Sequence, residues 1–118
     1  MTYIQQTKPL PSQERLVEEF YYDGEHLRNK KNKRGRGGGI DSIVGKITTR
    51  KQPRRMVKVD GIMYYHARLV WKYHHGIDPQ YEIDHINNDT LDDRIENLRD
   101  IPHEDNQLNR IDSKRNKA

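Results

Sequence analysis

Apolar residues are sparse along this chain and fall in short runs, so the elements they predict are short. Residues 1–12 contain Pro9 and Pro11 and show no period, which predicts a loose leader. A helical spacing starts at Ser12, which reads as an N-cap with Glu14 in the first turn and Leu16, Val17 and Phe20 as the apolar positions. Phe20-Tyr21-Tyr22 then meets the turn signal Asp23-Gly24, and His26-Leu27-Arg28 reads as the returning strand. From residue 29 to residue 39 the chain is Lys, Arg and Asn followed by glycines, a composition that forms no core and predicts a mobile basic loop. Ile43-Val44 and Ile47-Thr48-Thr49 are short β-like runs around Gly45. The alternation Val57-Lys58-Val59, the pair Asp60-Gly61 and the run Ile62 to Tyr65 predict a hairpin closed by a two-residue turn. His66 to His75 reads as a helix with Ala67, Val70, Trp71 and His74 on one face, Leu69 and Tyr73 beside it, and Gly76 as its C-terminal stop. A strand over Tyr81 to Ile86, a polar loop at Asn87-Asn88-Asp89-Thr90 and a second strand-like segment through Ile95, Leu98 and Ile101 follow. Pro102, with Glu104 and Asp105 behind it, opens a terminal helix expected to reach about Ser113.

Composition narrows what such elements can build. A chain of 118 residues with 31% hydrophobic and 34% charged side chains has one small core, so a partner or a bound ion is expected to help hold it. No apolar run approaches the roughly 18–20 residues of a membrane span, and Met1 to Gln6 lack the pattern of a secretory signal. The absence of cysteine excludes disulfides, cysteine-based zinc sites and thiol catalysis, and it is compatible with a cytoplasmic setting.

Charge becomes informative when it is mapped. Between His26 and Lys58 there are 12 lysines and arginines against the single acid Asp41, a net +11. Between Glu82 and Asp105 there are nine acids against two arginines, a net −7. A basic arm beside an acidic centre suits a protein that grips a polyanion and holds a cation where it acts; a solubilising tail beside an ordinary acidic surface is the plainer alternative.

Asp84-His85 sets a carboxylate beside an imidazole at the end of an apolar strand. Neighbouring side chains on a strand point to opposite faces, so the two serve one site only through a kink or by doing different jobs. Downstream, Asn106 and Asn109 lie three apart on one face of the expected terminal helix.

The run Asp84-His85-Ile86, continued by Arg94-Ile95-Glu96-Asn97-Leu98-Arg99 and by Asn106 and Asn109, resembles the HNH endonucleases of ββα-metal type, in the phage and intron homing branch without zinc-binding cysteines. Val57 to Gly61 and Tyr64 to Trp71 resemble that family's hairpin and following helix, and the likeness extends from about Leu16 to Arg110. The sequence departs from the family pattern at two places. It has His66-Ala67-Arg68 where Ala-His-Arg is frequent, and Asp93 where Asn is usual, a change expected to act on loop hydrogen bonding.

The resemblance implies an α+β fold: a small ββα-metal (HNH) nuclease core with an N-terminal basic, β-hairpin-containing DNA-binding extension. The expected division is residues 1–45 for the extension and 46–118 for the nuclease domain. The implied catalytic residues are His85, as general base on the attacking water, and Asn97, which braces the loop. Asp84 and Asn106 are the implied ligands of one divalent cation, Mg²⁺ or Mn²⁺, with no zinc-ribbon site. Oxygen donors in this number suit Mg²⁺, which takes one or two protein ligands and completes its shell with water and phosphate. Lys30, Lys31, Lys33, Arg34, Arg36, Arg54, Arg55, Arg68, Arg94, Arg99 and Asn109 are the implied DNA contacts. The implied partner is DNA, as a duplex, with monomer and dimer both open and the cytoplasm (of the host cell, if phage-encoded) as location. The alternative is a non-catalytic nucleic-acid-binding protein on the same scaffold. His74-His75, beside a helix end, reads as a packing or capping pair, and no role is assigned to His66.

Overall fold

A computed structural model describes residues 9–32 and 38–102 of the chain. Residues 1–8 of the expected leader, 33–37 of the basic glycine loop and the expected terminal helix beyond Pro102 lie outside the described residues. The end of the leader is corrected: Leu10 is buried in the core, and its amide donates to Asp78 Oδ2 at 3.3 Å.

Ser12 caps the first helix, α1 (Gln13–Glu19), its Oγ accepting from the Arg15 amide at 3.1 Å. Phe20 is extended, and the chain passes directly from α1 into β1 (Phe20–Tyr22). The Asp23 carboxylate then accepts from the amides of Glu25 and His26, turning the chain into β2 (Leu27–Asn29), antiparallel to β1. The expected first hairpin is therefore present.

β3 (Lys46–Ile47), β4 (Arg55–Val59) and β5 (Ile62–Tyr65) form a second antiparallel sheet in that order. Asp60 and Gly61 close the β4–β5 hairpin with φ of 52° and 84°, the left-handed pair that a type I′ turn requires. The helix α2 (His66–His75) follows β5 without a break and stops at Gly76, whose φ of 76° is the left-handed C-terminal cap. β6 (Glu82–His85) and β7 (Leu98–Ile101) make a third antiparallel pair, joined by a polar loop and a short 3₁₀ turn, Ile95–Asn97. The architecture is α+β, with small antiparallel sheets around α2. No helix among the described residues is long and apolar enough to cross a membrane.

One core runs through these elements, with Leu16, Phe20, Leu27 and Val44 packing together with Val57, Tyr64, Leu69, Val70, Ile83 and Leu98. It draws on both sides of residue 45. The expected face of α2 is corrected: His66, Ala67, Arg68, Leu69 and Val70 are all buried, while Trp71 is half-buried and His74 exposed. The first turn and a half of α2 is enclosed on every side, by α1, by the β4–β5 hairpin and by the 3₁₀ turn, so no single stripe describes it. The His74 and His75 rings pack against Tyr22 and Trp71, with centroids 4.4 Å and 4.1 Å apart.

Candidate active site

The strand β6 carries two of the chemical side chains. Its register sets Asp84 opposite Arg99 and His85 opposite Leu98 on β7. Both acidic and imidazole groups are buried, at 4% and 5% exposure. Asp84 Oδ2 accepts from Arg99 Nε at 2.7 Å, whereas His85 Nε2 lies 2.7 Å from Asp93 Oδ1. The dipeptide thus does two different jobs, as strand alternation demands.

The loop after β6 is tied down by its own polar side chains. Asn97 accepts from the Asn87 amide at 3.0 Å and donates to the Asn87 side chain and to the Asp92 carbonyl, at 3.0 Å and 2.8 Å. Asn97 therefore spans the loop at both ends and faces backbone. Asp92 accepts from Arg94 Nε and Nη2, each at 2.8 Å, and from Asn87. The Arg94 guanidinium, joined by the Asn87 amide, holds the Asp92 carboxyl at about 2. Thr90 Oγ1 donates to the Pro53 carbonyl at 2.6 Å, which fastens the loop to the lead-in of β4.

Asp93 is the unforeseen member. The sequence places it in a polar loop, but the structure buries it at 3% exposure between two histidines. His66 Nδ1 lies 2.8 Å from Asp93 Oδ2, and His85 Nε2 lies 2.7 Å from Oδ1. The expectation that Asp93 acts on loop hydrogen bonding is corrected: both of its oxygens face imidazole rings. Burial pushes the carboxyl up, but hydrogen bonds from His66 and His85 outweigh this and hold it at about 2. His66, fully buried at the start of α2, accepts the Leu27 amide on Nε2 at 3.1 Å. A line of contacts consequently runs from β2 through His66 and Asp93 to His85. Asp93 also borders an open cleft of about 370 Å³ with Glu25, His26, Asp89, Asp92 and Arg94. The residues that sequence reasoning missed, His66 and Asp93, sit at the two positions where the chain departs from the pattern it resembles, and the fold brings those two departures into contact.

The basic residues expected to meet DNA are spread over different surroundings. Lys30 and Lys31 are exposed beside α1, where Lys30 donates to the Val17 carbonyl and Lys31 lies 3.4 Å from Glu19. Arg54 stands over the Tyr65 ring at 5.5 Å, and Arg55 donates to the Val44 carbonyl at 3.1 Å. Arg94 and Arg99 are engaged by Asp92 and Asp84. Arg68 is a correction, since α2 turns it inward to 4% exposure, away from any surface that could meet a phosphate backbone. Among the described residues its Nε and Nη1 have no hydrogen-bond partner, and burial depresses its basicity against the opposing field of Asp78 and Asp100. Lys33, Arg34, Arg36, Asn106 and Asn109 lie outside the described residues.

For a divalent cation the described donors are few. Among the described residues no group of three or more histidine or carboxylate side chains is gathered to hold a metal. A buried carboxylate at Asp84, beside an imidazole that is already held elsewhere, fits an oxygen-ligated cation that takes most of its shell from water and phosphate. Residues 64–108 match the family described as HNH endonuclease, a span that holds α2, β6, the loop and β7. No curated protein and no solved structure matches the chain.

Proposed function

We propose that this chain, whose residues 64–108 belong to the HNH endonuclease family, hydrolyses DNA phosphodiester bonds in a divalent-metal-dependent reaction. The observation that carries the reading is the delivery of Asp84 and His85 by one strand to adjacent buried positions with separate partners, Arg99 and Asp93. A nuclease needs such a split, because the cation and the base must stand on either side of one phosphate without binding each other.

His85 is the general base. It takes a proton from water as the water oxygen bonds to phosphorus and the bond from phosphorus to the 3′ oxygen breaks, leaving 5′-phosphate and 3′-hydroxyl ends. A positioned base contributes roughly 10²–10⁴-fold. Asp84, with Asn106, would hold the metal ion, Mg²⁺ or Mn²⁺, which when bound polarises the phosphate and stabilises the departing oxygen. Asn97 keeps the loop between these groups in shape. Lys30, Lys31, Lys33, Arg34, Arg36, Arg54 and Arg55 supply backbone affinity for the duplex, with Arg94, Arg99 and Asn109 nearer the cut. The division between residues 1–45 and 46–118 is then one of task across a shared core: the first part grips, and the second cleaves while adding Arg54 and Arg55 to the grip. A homing or nicking role is the finer form of this reading.

Supercoiled plasmid incubated in Mg²⁺, Mn²⁺ or EDTA, beside His85→Ala, tests it. Nicked or linear product, lost with EDTA and in the variant while DNA binding persists, is expected. Salt-sensitive binding without cleavage in either metal would favour the non-catalytic binding protein instead.

A further inference from the structure

We infer that Asp93 is the positioning group for His85: a buried carboxylate, anchored from behind by His66, that sets which ring nitrogen of His85 carries the proton and leaves Nδ1 as the acceptor. The assignment of His85 as base is inherited from the nuclease reading; the position of its proton follows from hydrogen bonds alone.

The protons can be counted along the line. The Leu27 amide can only donate, and it points at His66 Nε2 from 3.1 Å, so that nitrogen carries the lone pair. The neutral ring then holds its proton on Nδ1 and donates it to Asp93 Oδ2 at 2.8 Å. Asp93 is ionised at neutral pH and offers only acceptors. His85 Nε2, 2.7 Å from the other oxygen, must therefore be a donor. The remaining lone pair of the neutral His85 ring sits on Nδ1, the atom left to accept a proton from water.

Burial makes this arrangement stiff. His66, Asp93 and His85 are exposed by 0%, 3% and 5%, so water does not compete for the two contacts with the carboxylate. A carboxylate is the group the geometry requires. An amide at this position would set its oxygen against one ring and its NH₂ against the other. His66 cannot move its proton to Nε2 without opposing the Leu27 amide, so the oxygen would stay with His66. The NH₂ would then face His85 Nε2, driving the His85 proton to Nδ1, the atom meant to accept from water. When His85 accepts a proton, the same carboxylate carries the new positive charge through a charge-assisted bond.

Nitrogen-15 NMR of the histidine rings at pH 8 reads the tautomers directly. In the wild-type protein His85 is expected as the Nε2–H form and His66 as the Nδ1–H form; a His85 that carries its proton on Nδ1, or an even mixture, would overturn the inference. In Asp93→Asn the His85 signals should move toward the Nδ1–H form. The kcat for nicking should drop about 10–100-fold with KM unchanged, part of what a positioned base supplies. His66→Gln keeps one donor and one acceptor in place and should retain most of the rate, whereas His66→Leu should not. Equal rates for these two variants would remove His66 as the anchor. If Asp93→Asn fails to fold, the wild-type spectrum still decides. A wild-type protein with the expected tautomers that cuts no DNA would sink the nuclease reading and leave the positioning role standing.

Discussion

Arg99 donates from Nε to Oδ2 of Asp84 at 2.7 Å, directly across the ladder between β6 and β7. Among the described residues this guanidinium is the cation paired with the buried carboxylate, and a metal ion at Asp84 would share the same charge. Arg99→Ala should cost about 1–3 kcal/mol, the loss of a hydrogen bond to a charged group. Urea unfolding without metal should show that deficit, and Mg²⁺ should shrink it by giving Asp84 a replacement cation. A deficit that Mg²⁺ leaves untouched would argue against Asp84 as a ligand.

Asp93 also controls acid stability. Its carboxyl is held at about 2, below the ordinary 3.8, so the stabilisation is complete above about pH 4 and is lost as the pH falls toward 2. A displacement of this size corresponds to about 2 kcal/mol. Asp23 and Asp92, also held at about 2, titrate in the same window, so the contribution of Asp93 appears as a difference between proteins. Asp93→Asn should flatten the fall in unfolding free energy between pH 4 and pH 2, measured by chemical denaturation at each pH. An identical slope in both proteins would contradict the assignment.

Gly45 and Gly61 both have left-handed backbones, with φ of 83° and 84°, but their surroundings differ. A Cβ on Gly45 would meet the Met56 carbonyl oxygen at 2.3 Å, whereas a Cβ on Gly61 has nothing within 4 Å. Gly61→Ala should cost about 1 kcal/mol, for the backbone alone. Gly45→Ala should cost more, because β4 must shift to admit the methyl group. Thermal melts of the two variants check the order, and comparable losses would mean that Gly45 does not pack against β4 as described.

The grip on DNA should be electrostatic. Replacing Lys30, Lys31, Lys33 and Arg34 together should weaken binding and flatten its dependence on salt, by up to about 0.9 in the log–log slope for each phosphate that is no longer neutralised. Titration of a labelled duplex across salt concentrations gives the slope, and an unchanged slope would place the grip elsewhere. Arg68→Met serves as the contrast. Its guanidinium is buried, so the slope should stay as it is.

Local signals in the sequence were enough for the elements. Ser12 as a cap, the turns at Asp23-Gly24 and Asp60-Gly61, and the stop at Gly76 are each set by the chemistry of one or two residues, and each stands where the sequence puts it. The α+β class came with the resemblance carried by the run from Asp84 to Arg99, which lies within residues 64–108 that match the HNH endonuclease family. The burial of α2 was less legible. Periodicity assumes one buried stripe, and the first residues of α2 are enclosed all round.

Contacts between residues far apart in sequence decided the rest. Arg68 reads as one more basic residue until packing turns it inward, and Arg94 and Arg99 read as free cations until Asp92 and Asp84 engage them. The meeting of His66 with Asp93, 27 residues away, depends on how α2 lies against the loop after β6. No local propensity encodes that distance. The sequence by itself determined which chemical groups this protein has and which short elements carry them. Only the tertiary structure decided which groups share a hydrogen bond, because burial excludes water and leaves each polar atom only the partners that packing brings to it.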